Sequence, residues 1–289
     1  MLKPFLLLLR PKHWVKNVLV VAPVFFSQSL VWNDISRVII AALLFSLMAS
    51  SIYIINDAID AKSDRRHPEK KNRPIASGIV PVNRAVLIAL LLAAIGVVAS
   101  LYVSPGLSAV LIVYLLINLL YSFRLKHVVV LDVMLLATGF VLRVIAGGVA
   151  VSIPISHWII LCTFFGAIFL SLGKRQSEVL LLKDASHGHR KVLSYYTRDF
   201  LQQLIAVTAG MTVMSYSLYT IDPRVIAQFG TDALVYTVPF VVYGVFRYFY
   251  LLYGKELGGD PVKIFTRDLP MVAASALWMI TFVLITLYV

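Results

Sequence analysis

Asp57, Asp60 and Asp64 stand three and four residues apart, the spacing that places side chains on one face of a helix. Three like charges on one face repel, and acids at a helix C-terminus oppose its dipole. A divalent cation removes both conflicts. Carboxylates, joined by the amide oxygen of Asn56, are hard oxygen ligands of the kind Mg²⁺ takes, and Mg²⁺ completes its shell with water and phosphate. Arg65, Arg66, Lys70, Lys71 and Arg73 follow at once and would meet phosphate oxygens. The segment 56–78 holds 10 charged residues in 23 positions, against 40 in the whole chain. A solvated charged loop is the plainer reading of such a run, but the acid spacing and the basic residues behind it favour a metal–phosphate site.

The elements that must position these residues are membrane helices. The chain is 60% hydrophobic and 14% charged, where soluble domains are about 45–50% apolar and about 25% charged. Apolar runs of ~20 residues match a hydrocarbon core of ~30 Å, which admits helices. Nine spans are expected, at 15–31, 35–55, 85–103, 107–122, 129–151, 158–172, 201–221, 233–253 and 269–289. The first is short, contains Pro23, and is expected to be tilted or broken. Residues 1–14, MLKPFLLLLRPKHW, read as an amphipathic interfacial segment. With the N-terminus inside, 22 Lys and Arg residues fall on inner segments and only Arg37 and Arg224 on outer ones, the bias of a cytoplasmic N-terminus. This also accounts for the net charge of +12 without nucleic acid. The two long inner loops, about 56–84 and 173–200, carry the acids, so the chemistry is expected on the cytoplasmic face of a single domain, 1–289. Cys162, the one cysteine, excludes an intrachain disulfide and makes a poor metal site.

NDAIDAKSD resembles the N-D-x-x-D-x-x-x-D signature of the UbiA superfamily of membrane prenyltransferases. The resemblance covers nearly the whole chain. It implies nine helices in a UbiA-like bundle around a central cavity, with a Mg²⁺–diphosphate site (Mn²⁺ being an alternative) at helix ends. Members that alkylate aromatic rings carry a second Asp-rich motif. Here the corresponding stretch is SLGKRQSEVLLLKD, which presents Lys174, Arg175 and Glu178 in place of paired aspartates. A Lys–Arg pair meets negative charge without a metal; as plain positive-inside anchors the pair would do nothing further. Glu178 would pair with a hydroxyl, a metal or Lys174.

With that departure, the stretches LRPKHWVKN (9–17), YSFRLKHVVVLDV (121–133), FVLRVIAGG (140–148), LGKRQSE (172–178), YGVFRY (243–248) and GGDPVKIFTRD (258–268) resemble the decaprenyl-phosphate 5-phosphoribosyltransferase branch. That resemblance implies transfer of 5-phosphoribosyl from 5-phosphoribosyl diphosphate (PRPP) to a polyprenyl phosphate, a step towards the arabinose donor for cell-wall arabinan. It implies catalytic roles for Asp57, Asp60 and Asp64, and metal-binding roles for these three with Asn56. PRPP would be held by Lys16, Arg65, Lys70, Arg73, Tyr121, Lys126, Arg143, Lys174, Arg175 and Glu178, and the lipid phosphate by Lys12, Asn17, Arg124 and Arg247. Arg143 lies 11 residues past Asp132, about 16 Å deeper at ~1.5 Å per residue. At that depth it either lines a polar cavity or makes an internal helix-to-helix bond. Arg247 either meets phosphate or snorkels. Gly147 and Gly148 are expected to permit close helix packing.

His13, His67, His127, His157, His187 and His189 are scattered, so no general base is evident. None is required, because a phosphate monoester with a second pKa of ~6 is already anionic near neutrality. Membrane lipid is an expected partner, and a homo-oligomer is compatible with the pattern. The competing readings are a UbiA-type transfer of an isoprenyl group from a prenyl diphosphate to a small aromatic acceptor, and a transporter or flippase for a phosphorylated lipid. The short, plain outer loops speak against the last.

Overall fold

The computed structural model describes residues 2–27, 31–66, 70–182, 193, 195–254 and 261–288. Most of them are helical, the rest are turns, bends and irregular connections, and there is no strand among the described residues. The chain forms two compact units, Met1–Ile155 and Ser156–Val289.

Unit 1 begins with α1 (Leu2–Leu9), a 3₁₀ helix (Pro11–Val20) and the short α2 (Ala22–Ser27). The long α3 (Trp32–Ile59) and short α4 (Ala61–Asp64) follow, then α5 (Val82–Val103), α6 (Pro105–Phe123) and α7 (Leu131–Val151). α3 is the centre. It packs against α5, α6, α7 and the 3₁₀ helix, and its 28 residues reach about 42 Å at ~1.5 Å per residue. α5 shows how a membrane helix inverts the soluble pattern. Its buried positions are the small residues Ala85, Ala89, Ala93, Gly96 and Ser100, while Leu87, Leu90, Leu91, Ile95, Val98 and Leu101 point outward. Small residues let backbones approach, and the Ser51 hydroxyl of α3 donates to the Ala89 carbonyl at 2.7 Å. Ser104 caps α6, accepting from the Leu107 N–H at 3.0 Å with Pro105 at the first turn, which closes the tight turn from α5.

The expected first span, 15–31, is not one continuous α-helix. It is a 3₁₀ helix and α2, meeting at Val21. The reason is a backbone contact: a Cβ on Gly147 of α7 would collide with the Val20 carbonyl oxygen, so the chain bends where it lies on bare α7 backbone. Gly148 likewise leaves room for Ile155, so both glycines serve packing. Gly147→Ala is expected to cost about 1–3 kcal/mol by overpacking, read as a lowered Tm of the purified protein in detergent; an unchanged Tm would refute this contact.

Unit 2 contains α8 (His157–Leu182), α9 (Arg198–Thr220) and α10 (Pro223–Phe229). A 3₁₀ turn (Ala233–Thr237) leads into α11 (Val238–Phe249), which passes into a π-helical turn (Tyr250–Gly254); α12 (Pro261–Arg267) and α13 (Leu269–Tyr288) complete it. α8 lies along α9, and α11 packs on α9 and α13. Seven of the described helical stretches are long and apolar enough to cross a membrane, or eight if α9 and α10, bent by 53°, are counted as one broken span. The chain is a multi-pass membrane protein.

Candidate active site

The acids sit where α3 ends. Asn56 and Asp57 lie on its last turn, the backbone departs from helix at Asp60 (φ −85°, ψ 1°), and α4 carries Asp64. The break means the three aspartates do not share one uninterrupted helix face. Asp57, only 5% exposed, accepts from Arg10 Nη2 at 2.6 and 2.8 Å and from Arg73 Nη1 at 2.9 Å. The same Nη1 donates to Asp64 at 2.7 Å. Asp60, half-exposed, pairs with the buried Lys126 at 2.7 Å. Asn56 accepts through Oδ1 from the Ser122 hydroxyl of α6.

Three inter-element bonds hold Arg10 over the acid. Asn17 donates to Ser46 at 2.7 Å, Trp14 to Ser50 at 3.0 Å, and Arg10 to Asp57. As the first number falls the second rises, so the 3₁₀ segment runs antiparallel along α3. Ser46 and Ser50 are one turn apart and supply the polar rail that an apolar helix otherwise lacks. Arg10 itself adopts a left-handed backbone (φ 50°) at the break before Pro11, with its guanidinium 5.3 Å from the Tyr53 ring.

The segment after the acids is folded back, not a free loop. Ile75 and Val80 are buried with Leu8, Ile54 and Ala85, and Ala76 is buried too. Arg65 Nε donates to the Ala76 carbonyl at 3.1 Å, and Gly78 takes the positive φ (82°) that turns the chain into α5. Lys70 is half-buried, Tyr121 is buried, and Lys12, Arg65 and Arg124 are exposed. Lys16 lies 5.8 Å from the Phe140 ring. His67 falls outside the described residues.

Arg143 is 4% exposed. Its Nε donates to Asn17 at 2.8 Å, Nη1 to the Gly139 carbonyl at 2.7 Å, and Nη2 to the Tyr114 hydroxyl at 3.0 Å. The rings of Phe45, Tyr114 and Phe140 surround the guanidinium at 5.0–5.3 Å. Of the two roles expected for it, this geometry is that of an internal helix-to-helix bond.

In unit 2, α8 continues through the expected second inner loop as far as Leu182, so Lys174, Arg175 and Glu178 are helical. Lys174 is exposed. Arg175 is buried and bonds Glu178 at 2.5 Å, so Glu178 pairs with Arg175 instead of Lys174. Arg247 is held by both oxygens of Asp268, at 3.0 and 2.9 Å, and faces the Tyr250 ring; it is anchored by an acid and does not simply snorkel. Residues 183–192, including His187 and His189, fall outside the described residues. A cavity of about 340 Å³ near His157, Asp222 and Arg224 lies at the other end of α8. Its acid, Asp222, is already bonded to the Trp158 indole at 2.7 Å.

Two functional partners were not picked out in the sequence. Arg10 lies in LRPKHWVKN, but its link to Asp57 spans 47 residues. Asp268 closes GGDPVKIFTRD, 21 residues from Arg247. Motif membership was the available signal in both cases.

The donor set suits a hard divalent cation. One nitrogen, Arg73 Nη1, already sits between two carboxylates, so the site accommodates positive charge at that point. Among the described residues no three His, Cys, Asp or Glu side chains converge as a ready-made cluster. Two carboxylates with remaining positions left for water and phosphate are the arrangement Mg²⁺ accepts.

Fold and site together define an α-helical, multi-pass membrane protein with clustered carboxylates and bases at the end of its central helix. The chain belongs to the UbiA prenyltransferase family, whose model matches residues 17–275. It is 38% identical over 287 residues to the decaprenyl-phosphate phosphoribosyltransferase of Corynebacterium glutamicum, covering 96% of this chain and 84% of that one. It is 35% identical over 278 residues to the enzyme of the same name from Mycobacterium tuberculosis, covering 94% and 91%. A solved UbiA homologue from Archaeoglobus fulgidus, bound to DMAPP and Mg²⁺, superposes with a TM-score of 0.75 at 20% identity, covering 99% of this chain and all of that one; at that identity the likeness concerns the fold.

Proposed function

We propose that this protein transfers 5-phosphoribosyl from PRPP to a decaprenyl-type polyprenyl phosphate, releasing diphosphate, at the cytoplasmic face of the cell membrane with the N-terminus inside. On this reading both units form one transferase domain, 1–289. The observation that carries the reading is the replacement on α8: a buried Arg175 paired with Glu178 stands where prenyl-diphosphate enzymes are expected to carry paired aspartates. The near full-length similarity to phosphoribosyltransferases supports it.

The lipid phosphate oxygen attacks C1 of the ribose, a C–O bond forms there, and the C1–O bond to diphosphate breaks with its electron pair leaving on the diphosphate. The nucleophile is already anionic, so no side chain need take a proton. Asp57 and Asp64, with Asp60 and Asn56 alongside, would hold a divalent cation such as Mg²⁺, which when bound would supply neutralisation of the diphosphate's charge. A divalent cation is in keeping with the UbiA-family match and with the Mg²⁺ bound in the Archaeoglobus fold relative; the choice of ligands rests on the geometry of Asp57 and Asp64. Arg10, Arg73 and Lys126 hold the carboxylates in position and lie ready for phosphate oxygens. Lys174, Arg175, Lys16, Lys70, Arg65 and Tyr121 are proposed for the donor, and Lys12, Asn17, Arg124 and Arg247 for the lipid. Burial of Asp57, Asp64, Lys126 and Arg175 strengthens the interactions made at those residues.

Membranes containing the protein are expected to make a labelled lipid from labelled PRPP and polyprenyl phosphate, and to stop when EDTA removes divalent cations. No labelled lipid, together with isoprenyl transfer from a prenyl diphosphate to an aromatic acceptor, would establish the competing activity instead.

A further inference from the structure

Gln176 is 1% exposed, yet neither its Nε2 nor its Oε1 has a hydrogen-bond partner. The buried hydroxyls of Tyr248 and Tyr253 share that condition. Among the described residues, these four atoms are all the buried side-chain polar atoms without a partner. Each such group costs about 1–3 kcal/mol when desolvated, and they are rare enough to need a reason.

The two tyrosines are joined through aromatic contacts with Phe249 and Phe169, and Gln176 lies on the face of α8 that meets them. Phe169, Gly173 and Gln176 recur at i, i+4 and i+7 on one face of α8. The Tyr248 hydroxyl lies on Gly173, where a Cβ would collide with it. Phe169 contacts the rings of Tyr248 at 5.0 Å and Phe249 at 5.7 Å, and Phe249 stacks on Tyr253 at 5.8 Å. Tyr253 stands on the π-helical turn that follows α11, and such turns recur at functional sites. Elsewhere in unit 2 the buried hydroxyls of Tyr216 and Thr237 bond each other at 2.6 Å, and the Trp278 indole bonds Tyr216, so the deficit is local.

The orphan atoms are an amide N–H₂, an amide oxygen and two phenol hydroxyls, all neutral. That set does not match phosphate, which the neighbouring Lys174 and Arg175 suit. It matches a polyol, whose hydroxyls both donate and accept. We infer that Gln176, Tyr248 and Tyr253 recognise the ribose hydroxyls of the donor, making this face of α8 the part of the protein that selects a sugar diphosphate over a prenyl diphosphate. The inference rests on the donor being PRPP.

The test measures Mg²⁺-dependent binding of PRPP and of inorganic diphosphate to the full chain in lipid nanodiscs, for wild type, Gln176→Leu and Tyr248→Phe. Both variants are expected to bind PRPP about tenfold more weakly, one hydrogen bond's worth, and diphosphate as wild type does. Their Tm should be equal to or above that of wild type, because an unsatisfied polar group has been removed. PRPP affinity equal to wild type in both variants, or equal losses for PRPP and diphosphate, would overturn the inference. A wild type that binds diphosphate but not PRPP would instead overturn the donor assignment, and the inference with it.

Discussion

Asp57→Asn is expected to lower transfer of labelled phosphoribose by at least ~10²-fold, the scale seen when one preorganised electrostatic contact to a developing charge is lost. The amide keeps the volume of the carboxylate, so packing at the end of α3 is retained. What changes is charge. Asp57 is the acid that both Arg10 and Arg73 reach, and Arg73 also serves Asp64. Neutralising Asp57 therefore weakens the cation site and loosens two guanidinium groups together. Asp57 is buried, but the Asn side-chain oxygen still accepts from an arginine at that place, so membrane insertion should be retained and Tm should fall by much less than activity does. Rates measured across a Mg²⁺ series check this. Activity within threefold of wild type at all Mg²⁺ concentrations would remove Asp57 from the metal site.

Arg143→Leu is expected to show the opposite pattern, a loss of stability of about 1–3 kcal/mol for each buried acceptor left unpaired. Arg143 joins α7 to the 3₁₀ segment through Asn17 and to α6 through Tyr114, and Asn17 in turn is bonded to α3. Removing the guanidinium leaves the Asn17 amide oxygen without that donor and frees the segment that carries Arg10. Arg143→Lys should be nearly as damaging, since one ammonium cannot reproduce a planar fork directed at three acceptors. Thermal unfolding in detergent reads the effect. A donor-binding role would give the reverse result, an unchanged Tm with a raised KM for PRPP.

Much of the fold was legible in the residues. Apolar runs long enough to cross a bilayer must satisfy their own backbone bonds, and helices are the way a single run does so. The long helices consequently fall close to the expected spans. The run 15–31, expected to be tilted or broken, is broken at Val21; its close lie on α7 depends on a carbonyl meeting a glycine more than a hundred residues later. The acid motif was legible for the same local reason: like charges packed at one helix end need a counter-charge, whatever supplies it.

The identity of that counter-charge was not legible. Arg10 and Lys126 are 47 and 66 residues from the acids they hold, and Arg143 lies 126 residues from Asn17. Periodicity says which face of a helix is polar, but it does not say which residue of another helix will stand opposite. Composition and spacing thus specified a helical membrane protein with an acidic helix end and an irregular first span, and the family resemblance added the reading of Lys174, Arg175 and Glu178 as a basic substitute for a second acidic motif. Packing specified the rest: the arginines on Asp57, the enclosure of Arg143 and the orphan amide of Gln176. Desolvation makes each of those arrangements matter, and the degree of desolvation is set by neighbours that meet only when the helices assemble.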